Sequence, residues 1–251
     1  MDPAAVLALF DDQMRRAHDS GGRVRREDGE DGGWCGVVWS ALDETTADAA
    51  IAEQVHWFTA RGREFEWKLY GHDTPVDLSV RLRAAGFTAE PEETLMVAPA
   101  EGPAAVAEPP DGIELREVTD ASGIDLVADV HEAAFGTSAD RLRQQLRAQL
   151  ADEPEAVGMT VAVSTADGRP VSAARLELHE GTDFASLWGG GTVPAWRGRG
   201  IYRALVAHRA RRAATHGYPY LQTDALPTSR PILQRLGFTP LTTTTPYVYV
   251  P

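Results

Sequence analysis

A glycine-rich turn between residues 193 and 202 is the part of the sequence whose residue types and spacing best suit chemistry. It reads Val193-Pro-Ala-Trp-Arg-Gly-Arg-Gly-Ile-Tyr202, between an apolar run interrupted by glycines and a long amphipathic segment. This pattern predicts a strand, a tight turn and the first turn of a helix. The first N–H groups of a helix have no partner within it, and the helix dipole adds positive potential there. The turn is therefore predicted to hold a phosphate group.

Two common phosphate loops do not fit this turn. A P-loop needs Lys followed by Ser or Thr after its last glycine, and here Ile201 and Tyr202 follow Gly200. A dinucleotide-binding loop needs a third glycine where Arg203 stands, and it follows the first strand of a parallel unit. The strands before this turn are instead predicted to be joined by a hairpin, because Ala-Asp-Gly-Arg (residues 166–169) is a typical hairpin turn.

The elements around the turn predict an α/β fold with a mixed sheet in the C-terminal half. Their order is β-α-α-β-β-β-α-β-α-β, with helices on the faces of the sheet. The strands are predicted at 113–118, 159–163, 171–178, 184–193, 218–225 and 242–250, and the helices at 125–135, 139–150, 201–216 and 229–236. Pro246 predicts an edge position or a bulge in the last strand, because proline cannot donate to a sheet ladder.

A proline-rich segment, residues 99–110, is predicted to be a linker that divides the chain into 1–98 and 111–251. The first part echoes the end of the second, with a strand at 64–70, a helix at 75–85 ended by Gly86-Phe87 and a strand at 94–97. Upstream, a strand at 35–42 leads into a helix at 45–60 through Asp43-Glu-Thr-Thr46. This acidic connection would cap a helix and repel a phosphate. We favour a duplication over coincidence, with a smaller first copy that has lost the phosphate site.

Composition narrows the function classes. A net charge of −13 without a broad basic stripe argues against nucleic-acid binding, and no apolar run is long enough for a membrane span. The single cysteine, Cys35, excludes an intrachain disulfide and a cysteine-rich metal site. The sequence contains no grouping of His, Asp and Glu that would predict a metal site. The start Met1-Asp-Pro lacks the basic residues of a signal peptide, so a cytoplasmic protein is expected.

The turn and its surroundings resemble the acyl-CoA loop of the GNAT (Gcn5-related N-acetyltransferase) superfamily. Val193-Pro194, Arg197 and Gly200 match the Arg-x-x-Gly-x-Gly/Ala loop, and Leu236-Gly-Phe238 matches a second signature of the family. The likeness covers about residues 113–251. It implies a GNAT fold there and a degenerate GNAT-like copy in the first part, as in tandem GNAT proteins. It also implies acetyl-CoA as acyl donor, one per chain, and no metal.

The resemblance assigns the cofactor-binding residues. The pantetheine arm would pair with the strand that ends at Val193, and Gly189-Gly-Gly191 independently predicts a bulge or a close approach by a ligand. Backbone N–H groups of Gly191, Thr192 and Val193 would hold the pantetheine amides and polarise the thioester carbonyl. The pyrophosphate would lie on the N–H groups of Arg197, Gly198, Arg199, Gly200, Ile201 and Tyr202. The side chains of Arg197 and Arg199 add positive charge, and solvated surface is the alternative for either. We favour a phosphate role for Arg197 only.

Two positions depart from the family pattern. Tyr202 replaces the final Gly or Ala of the loop, so its ring must point away from the pyrophosphate or pack on the adenine side. Leu233 stands where many members carry the tyrosine that protonates the departing thiolate. The acid must then come from elsewhere, or the thiolate leaves unaided because its pKa is near 8.5.

Four residues are catalytic candidates, each with a structural alternative. Glu177 and His179 could act as base, and both are also explained as the rim of a hairpin. Asp224 could orient or deprotonate an amine, or cap the turn that follows it. Tyr247 could replace the missing acid, or pack in the sheet.

The function predicted is direct transfer of an acetyl group from acetyl-CoA to an amine. The rival is a non-catalytic GNAT-like module that binds CoA or serves regulation. The acceptor is expected to be a small-molecule or peptide amine that the sequence does not identify, with no nucleic-acid or membrane partner. A monomer or a homodimer is expected.

Overall fold

The computed structural model describes residues 1–16, 22–29, 34–152 and 155–251. The helices are α1 (Pro3–Phe10), α2 (Ala47–Thr59), α3 (Leu78–Ala84), α4 (Ala121–Phe135), α5 (Asp140–Asp152), α6 (Ile201–Thr215) and α7 (Arg230–Arg235). The strands are β1 (Val24–Asp28), β2 (Cys35–Ser40), β3 (Phe65–Tyr70), β4 (Thr88–Ala89), β5 (Glu93–Pro99), β6 (Ile113–Val118), β7 (Val157–Ser164), β8 (Pro170–Leu178), β9 (Phe184–Thr192), β10 (Tyr220–Ala225) and β11 (Thr239–Tyr249).

The chain divides into two compact units. The first unit comprises Met1–Met96, Asp224–Ile232 and Pro240–Pro251, and the second comprises Val97–Thr223 and Leu233–Thr239. This division differs from the predicted one, in which residues 111–251 stay together. The boundaries fall within β5, β10, α7 and β11, and local sequence patterns do not reveal such boundaries.

The second unit is a sheet with the strand order β10-β9-β8-β7-β6 and helices on its faces. Every residue of β7 is buried, including the polar Thr160 and Ser164. One core cluster joins the sheet to α4 and α5 around Ile124 and Leu146. Another joins it to α6 around Ile201 and Leu205. The predicted mixed α/β fold is confirmed, because antiparallel pairs such as β7–β8 occur beside the parallel pair β9–β10.

Both ends of α4 are set by residues that lie next to them in the sequence. Asp120 caps the start of α4, where its Oδ1 accepts a hydrogen bond from Gly123 N at 2.9 Å. The helix ends at Gly136, whose φ of +75° lies in the left-handed region that glycine adopts without strain. The C-terminus of α4 is thereby placed beside β9.

The first unit has the strand order β1-β2-β3-β11-β5, with β4 also paired to β11. Its core is built on an aromatic stack in which Phe58 lies 4.1 Å from Phe65, with Trp67 and Phe87 packed in the same cluster. The pair β2–β3 is parallel and short, and β3–β11 is antiparallel over six residues. Neither α1 nor β1 is among the sequence predictions.

Pro246 does not lie at an edge, which corrects the sequence expectation. β11 lies between β3 and β5, and its register with β3 runs without a bulge from Thr244 to Tyr249. The carbonyl of Pro246 accepts from Glu90 N on the side of β4. The missing N–H of Pro246 therefore faces the two-residue strand β4, where little pairing is lost.

The segment predicted as a linker, residues 99–110, packs on the second unit. Ala100 is fully buried and its N–H donates to the carbonyl of Pro219 at 2.9 Å. The guanidinium of Arg211 on α6 donates to the carbonyls of Ala105 and Ala107. Prolines gave this segment the composition of a linker, although its backbone is held by specific hydrogen bonds.

Candidate active site

The parallel strands β9 and β10 part halfway along their length. They pair only over three residues, from Phe184–Tyr220 to Ser186–Gln222. One further bond joins them, from Thr223 Oγ1 to the carbonyl of Leu187 at 2.8 Å. Among the described residues, β10 forms no backbone pair with the later part of β9, from Trp188 to Thr192. This part of β9 therefore has an open edge whose backbone groups are free to bind an extended ligand.

The open part of β9 begins at a bulge. Opposite β8, the register runs from Trp188–Arg175 to Gly191–Ala173, so that Gly189 and Gly190 together face one residue of β8. Gly189 has φ of +58°, a conformation that strains other residues. The bulge expected from the three glycines is confirmed.

The other two glycines of this run are needed for close packing. A Cβ on Gly190 would lie 2.8 Å from the ring of Tyr202, and a Cβ on Gly191 would lie 2.8 Å from the ring of Phe135. The three glycines thus let β9 bulge and let an aromatic ring approach it from α6 and another from α4.

The phosphate-binding turn adopts the predicted strand–turn–helix arrangement. A single 3₁₀ turn, Pro194–Trp196, leads to Gly198 with φ of +75° and to Gly200 with φ of +85° at the start of α6. The N–H of Ala204 donates to the carbonyl of Gly200. The N–H groups of the three residues before Ala204 therefore have no partner within the helix. No acidic side chain lies in this first turn and none caps it, so the amides remain open to an anion.

Arg197 has a structural task that its sequence position did not indicate. Its Nε donates to the carbonyl of Thr192 at 3.0 Å, and its Nη2 donates to the carbonyl of Ala134 at 2.9 Å. It thus ties the end of β9 to the last turn of α4, next to Phe135. Arg199 lies over the ring of Trp196 at 4.6 Å and donates to the carbonyl of Ala195.

Tyr202 turns inward from the loop. Its ring packs on Gly190 of β9, and its hydroxyl is close enough to the buried guanidinium of Arg209 for each to influence the pKa of the other. Burial lowers the pKa of Arg209 to about 10, which still leaves it cationic at neutral pH. Arg209 also donates from Nη1 to the carbonyl of Arg175 at 3.0 Å. Tyr202 therefore supplies packing, and its backbone N–H stays at the start of α6.

A small cavity lies on the other face of β9. It has a volume of about 20 Å³ and is bounded by α4, α5, β8 and β9, with Phe135, His131, Arg175, Gly189 and Gly191 in its wall. Phe135 is 50% exposed and lies 4.8 Å from the ring of His131. This face of the strand is therefore lined by an exposed aromatic pair.

Two of the four predicted catalytic residues lie in the second unit. Glu177 forms an ion pair with Arg175 at 3.0 Å. His179 Nε2 lies 2.6 Å from Ser186 Oγ, and Ser186 also accepts from Gln222 Nε2. Burial lowers the pKa of His179 to about 4, so this imidazole is neutral at neutral pH.

The other two lie in the first unit. Tyr247 is 2% exposed and packs in the aromatic core beside Trp67. The side chain of Asp224 forms an ion pair with Lys68 of β3. Sequence reasoning missed this partner, although Lys68 is the single lysine of the chain. Leu233, at the family's usual acid position, is 1% exposed and has no proton to donate.

Comparison with known families finds a match within the C-terminal half of the chain. The sequence of residues 124–238 matches the acetyltransferase (GNAT) family. Residues 124–238 form a GNAT domain. The matched range contains the glycine-rich turn and ends at Phe238, so it includes both motifs that carry the resemblance.

Solved structures share this fold over most of the chain. A GCN5-related N-acetyltransferase from Kribbella flavida has a TM-score of 0.68 at 18% identity, covering 98% of this chain and 93% of that one. A tandem GNAT protein from the clavulanic acid biosynthesis pathway has a TM-score of 0.65 at 16% identity, covering 92% and 80%. A GCN5-related N-acetyltransferase from Sphaerobacter thermophilus has a TM-score of 0.62 at 18% identity, covering 90% and 75%. At these identities the likeness shows the fold. The search of curated proteins found no match.

Two further observations concern membrane spans and metal ions. Across the described ranges, no helix is both long and apolar enough to span a bilayer. In those same ranges, no three His, Cys, Asp or Glu side chains are grouped to hold a metal ion.

Proposed function

We propose that this chain is an N-acetyltransferase that moves an acetyl group from acetyl-CoA directly to an amine, in the cytoplasm. One observation carries the proposal: the open edge of β9 runs into a turn whose helix-start amides have no internal acceptor. An extended chain with amides and a terminal phosphate matches this combination, because the edge binds the amides and the turn binds the phosphate.

The residues of β9 would fix and polarise the donor. Backbone N–H groups of Gly191 and Thr192 are assigned to the pantetheine amides and the thioester carbonyl. The N–H of Val193, which the sequence also assigned to this role, instead donates to the carbonyl of Val171 on β8 at 2.9 Å. The amides from Gly198 to Tyr202 are assigned to the pyrophosphate, because the N–H of Arg197 donates to the carbonyl of Pro194 at 3.2 Å and closes the 3₁₀ turn. Holding the thioester in a fixed orientation removes much of the entropic barrier to attack, and polarising its carbonyl stabilises the oxyanion that forms.

We assign proton transfer to one or more of the four catalytic candidates predicted from the sequence. His179 is neutral at neutral pH and can accept a proton, and its Nε2 is held by Ser186, but a pKa lowered to about 4 makes it a weak base. Glu177, Asp224 and Tyr247 remain the alternatives. Since Leu233 is apolar, we propose that the thiolate departs without a dedicated acid, because a thiol pKa near 8.5 makes it a good leaving group.

Calorimetric titration with acetyl-CoA, followed by a thiol-release assay over a panel of primary amines, tests this function. We expect one acetyl-CoA bound per chain, and thiol release that depends on the amine. Absence of binding would overturn the proposal. Tight binding without release on any amine would favour the rival function, a CoA-binding module without catalysis, which the apolar Leu233 supports.

A further inference from the structure

The first unit contains a cluster of charged side chains around Asp224, one of the alternative candidates for proton transfer. Glu66 and Lys68 lie on alternate positions of β3 and therefore share one face, and Glu93 begins β5. Asp224 reaches Lys68, and Glu90 completes the set. The charges of Asp224, Lys68, Glu66 and Glu90 all act on Glu93, so the cluster holds four carboxylates and one ammonium group.

Asp224 is incompletely paired at the centre of this cluster. Its side chain is 3% exposed, and Oδ2 accepts from Lys68 Nζ. Its other oxygen, Oδ1, is buried with no hydrogen-bond partner among the described residues. A buried carboxylate oxygen without a donor is costly, so this atom favours any ligand that brings an N–H group.

The cluster carries more negative charge than Lys68 can balance. Burial, and next the charge of Asp224, raise the pKa of Glu93 to about 7. Burial also raises the pKa of Glu66, with Glu90 and Asp224 adding to the effect, while Lys68 and the Trp34 hydrogen bond oppose it. An added cation would let these carboxylates ionise and would be bound in return.

An aromatic side chain borders the cluster at the surface. Trp34 is 39% exposed, and its Nε1 donates to Glu66 Oε2 at 3.0 Å. Glu90 is exposed on the same cluster. Carboxylates beside an exposed indole ring suit an organic ammonium group, because the ring attracts the cation and also packs against its methylene groups.

We propose that Glu66, Glu93 and Asp224, together with Trp34, form a binding site for an alkylamine in its ammonium form. A diamine fits the excess of carboxylates over the single ammonium of Lys68. The site lies wholly in the first unit, so the proposal does not depend on acetyl-CoA binding. The first unit, which the sequence predicts to have lost its phosphate site, would then bind an amine.

Titration calorimetry with 1,4-diaminobutane tests the site, and 1,4-butanediol is the neutral control of the same length. We expect saturable binding of the diamine alone, and weakening by about tenfold in Glu93→Gln and again in Glu66→Gln, since each removes one charge-assisted contact. Glu92→Gln is the matched control, because Glu92 is the exposed neighbour of Glu93. All three variants keep side-chain shape, and circular dichroism verifies that they fold.

A pH series gives a second readout that a structural role would not produce. Glu93 faces Asp224, Lys68, Glu66 and Glu90, and its ionised form is the one that binds a cation. Affinity for the diamine should therefore rise as pH increases through about 7, and this rise should vanish in Glu93→Gln. Equal affinity in Glu92→Gln and Glu93→Gln, a rise in affinity unchanged by Glu93→Gln, or no saturable binding would each overturn the proposal. Loss of acetyl-CoA binding by itself would leave it standing.

Discussion

The turns that lead from a strand into α2 and into α6 differ in what satisfies their backbone amides. At α2, Asp43 Oδ1 accepts hydrogen bonds from the N–H groups of Thr45 and Thr46 at 2.9 and 3.0 Å and from both hydroxyls. At α6, Gly200 offers no side chain and the amides stay open. A helix start can therefore be a ligand site or a self-sufficient cap, depending on whether the preceding turn carries its own anion.

The strands before these helices differ in the same way. β2 and β3 pair in parallel only at Gly36–Glu66 and Val37–Trp67. The next carbonyl, that of Val38, accepts from Arg15 Nε at 3.3 Å, and the Arg15 guanidinium lies 3.7 Å from the centre of the Tyr70 ring. In the second unit the corresponding edge of β9 is open. The first unit thus fills with its own arginine the place that the second leaves for a ligand.

The largest effect is expected from giving α6 the acidic side chain that α2 has nearby. Gly200→Glu should weaken acetyl-CoA binding about 1,000-fold or more, because a side chain is strained at φ of +85° and its charge repels phosphate. Gly200→Asn is the control, since Asn tolerates this conformation and is neutral, and it should cost less than about tenfold. Calorimetry measures both. Retained affinity in Gly200→Glu would show that the phosphate lies elsewhere.

Removing the arginine of the first unit should lower stability without creating a site. Arg15→Ala leaves Asp73, whose side chain is 5% exposed, without its ion-pair partner at 2.6 Å. The free energy of unfolding should fall by about 3 kcal/mol in urea titration. Arg16→Ala, at the exposed neighbouring position, should change it by less than about 0.5 kcal/mol. A gain of a second acetyl-CoA in Arg15→Ala would mean that this arginine alone blocks the first unit.

Arg197 separates the effect of charge from the effect of shape at the second site. Arg197→Lys keeps the charge and loses the forked donation to Thr192 and Ala134, so we expect it to weaken acetyl-CoA binding about tenfold, and we expect the same of Arg197→Ala. Arg199→Ala should cost less than about threefold, because Arg199 contacts only Trp196 and a neighbouring carbonyl. Wild-type affinity in Arg197→Lys would show that Arg197 contributes to acetyl-CoA binding through its charge alone.

The smallest effect is expected from substituting Asp43, in the turn before α2. Asp43→Ala should lower Tm by roughly 2–4 °C and leave acetyl-CoA stoichiometry at one, because four hydrogen bonds to Asp43 are lost. Hydrogen bonds from Thr45 and Thr46 lower the pKa of Asp43 from 3.8 to about 2. The difference in Tm should thus be complete above pH 3.8 and shrink as pH falls toward 2. Asp48→Ala on the same helix, which removes a largely exposed carboxylate, is the control.

Local patterns were sufficient for much of the site. The turn at Gly198 and Gly200, the bulge at Gly189 and the helix that follows each depend on residues close in sequence, so spacing and glycine content predict them. The turn that Asp43 closes before α2 is local in the same sense. The signals for α1 were also present, since Asp2 caps it and Pro3 occupies its first turn.

Long-range partners could not be predicted from one sequence. Lys68 and Asp224 are 156 residues apart, and Arg197 reaches a carbonyl 63 residues away. Nothing in the local pattern of Asp224 distinguishes a turn cap from half of a buried ion pair. The same limit explains the segment 99–110, whose prolines are visible in the sequence while its acceptors for Arg211 are not.

The placement of β11 in the first unit has a consequence for biosynthesis. Residues 244–249 pair with β3 and bring Tyr247 into the aromatic core around Trp67. During translation, the first unit emerges from the ribosome without this strand and keeps an edge of β3 unpaired until some 150 further residues have been made. Its nascent form should therefore be a client for chaperones, and a nonsense mutation shortly before residue 240 would damage the earliest-made part of the protein.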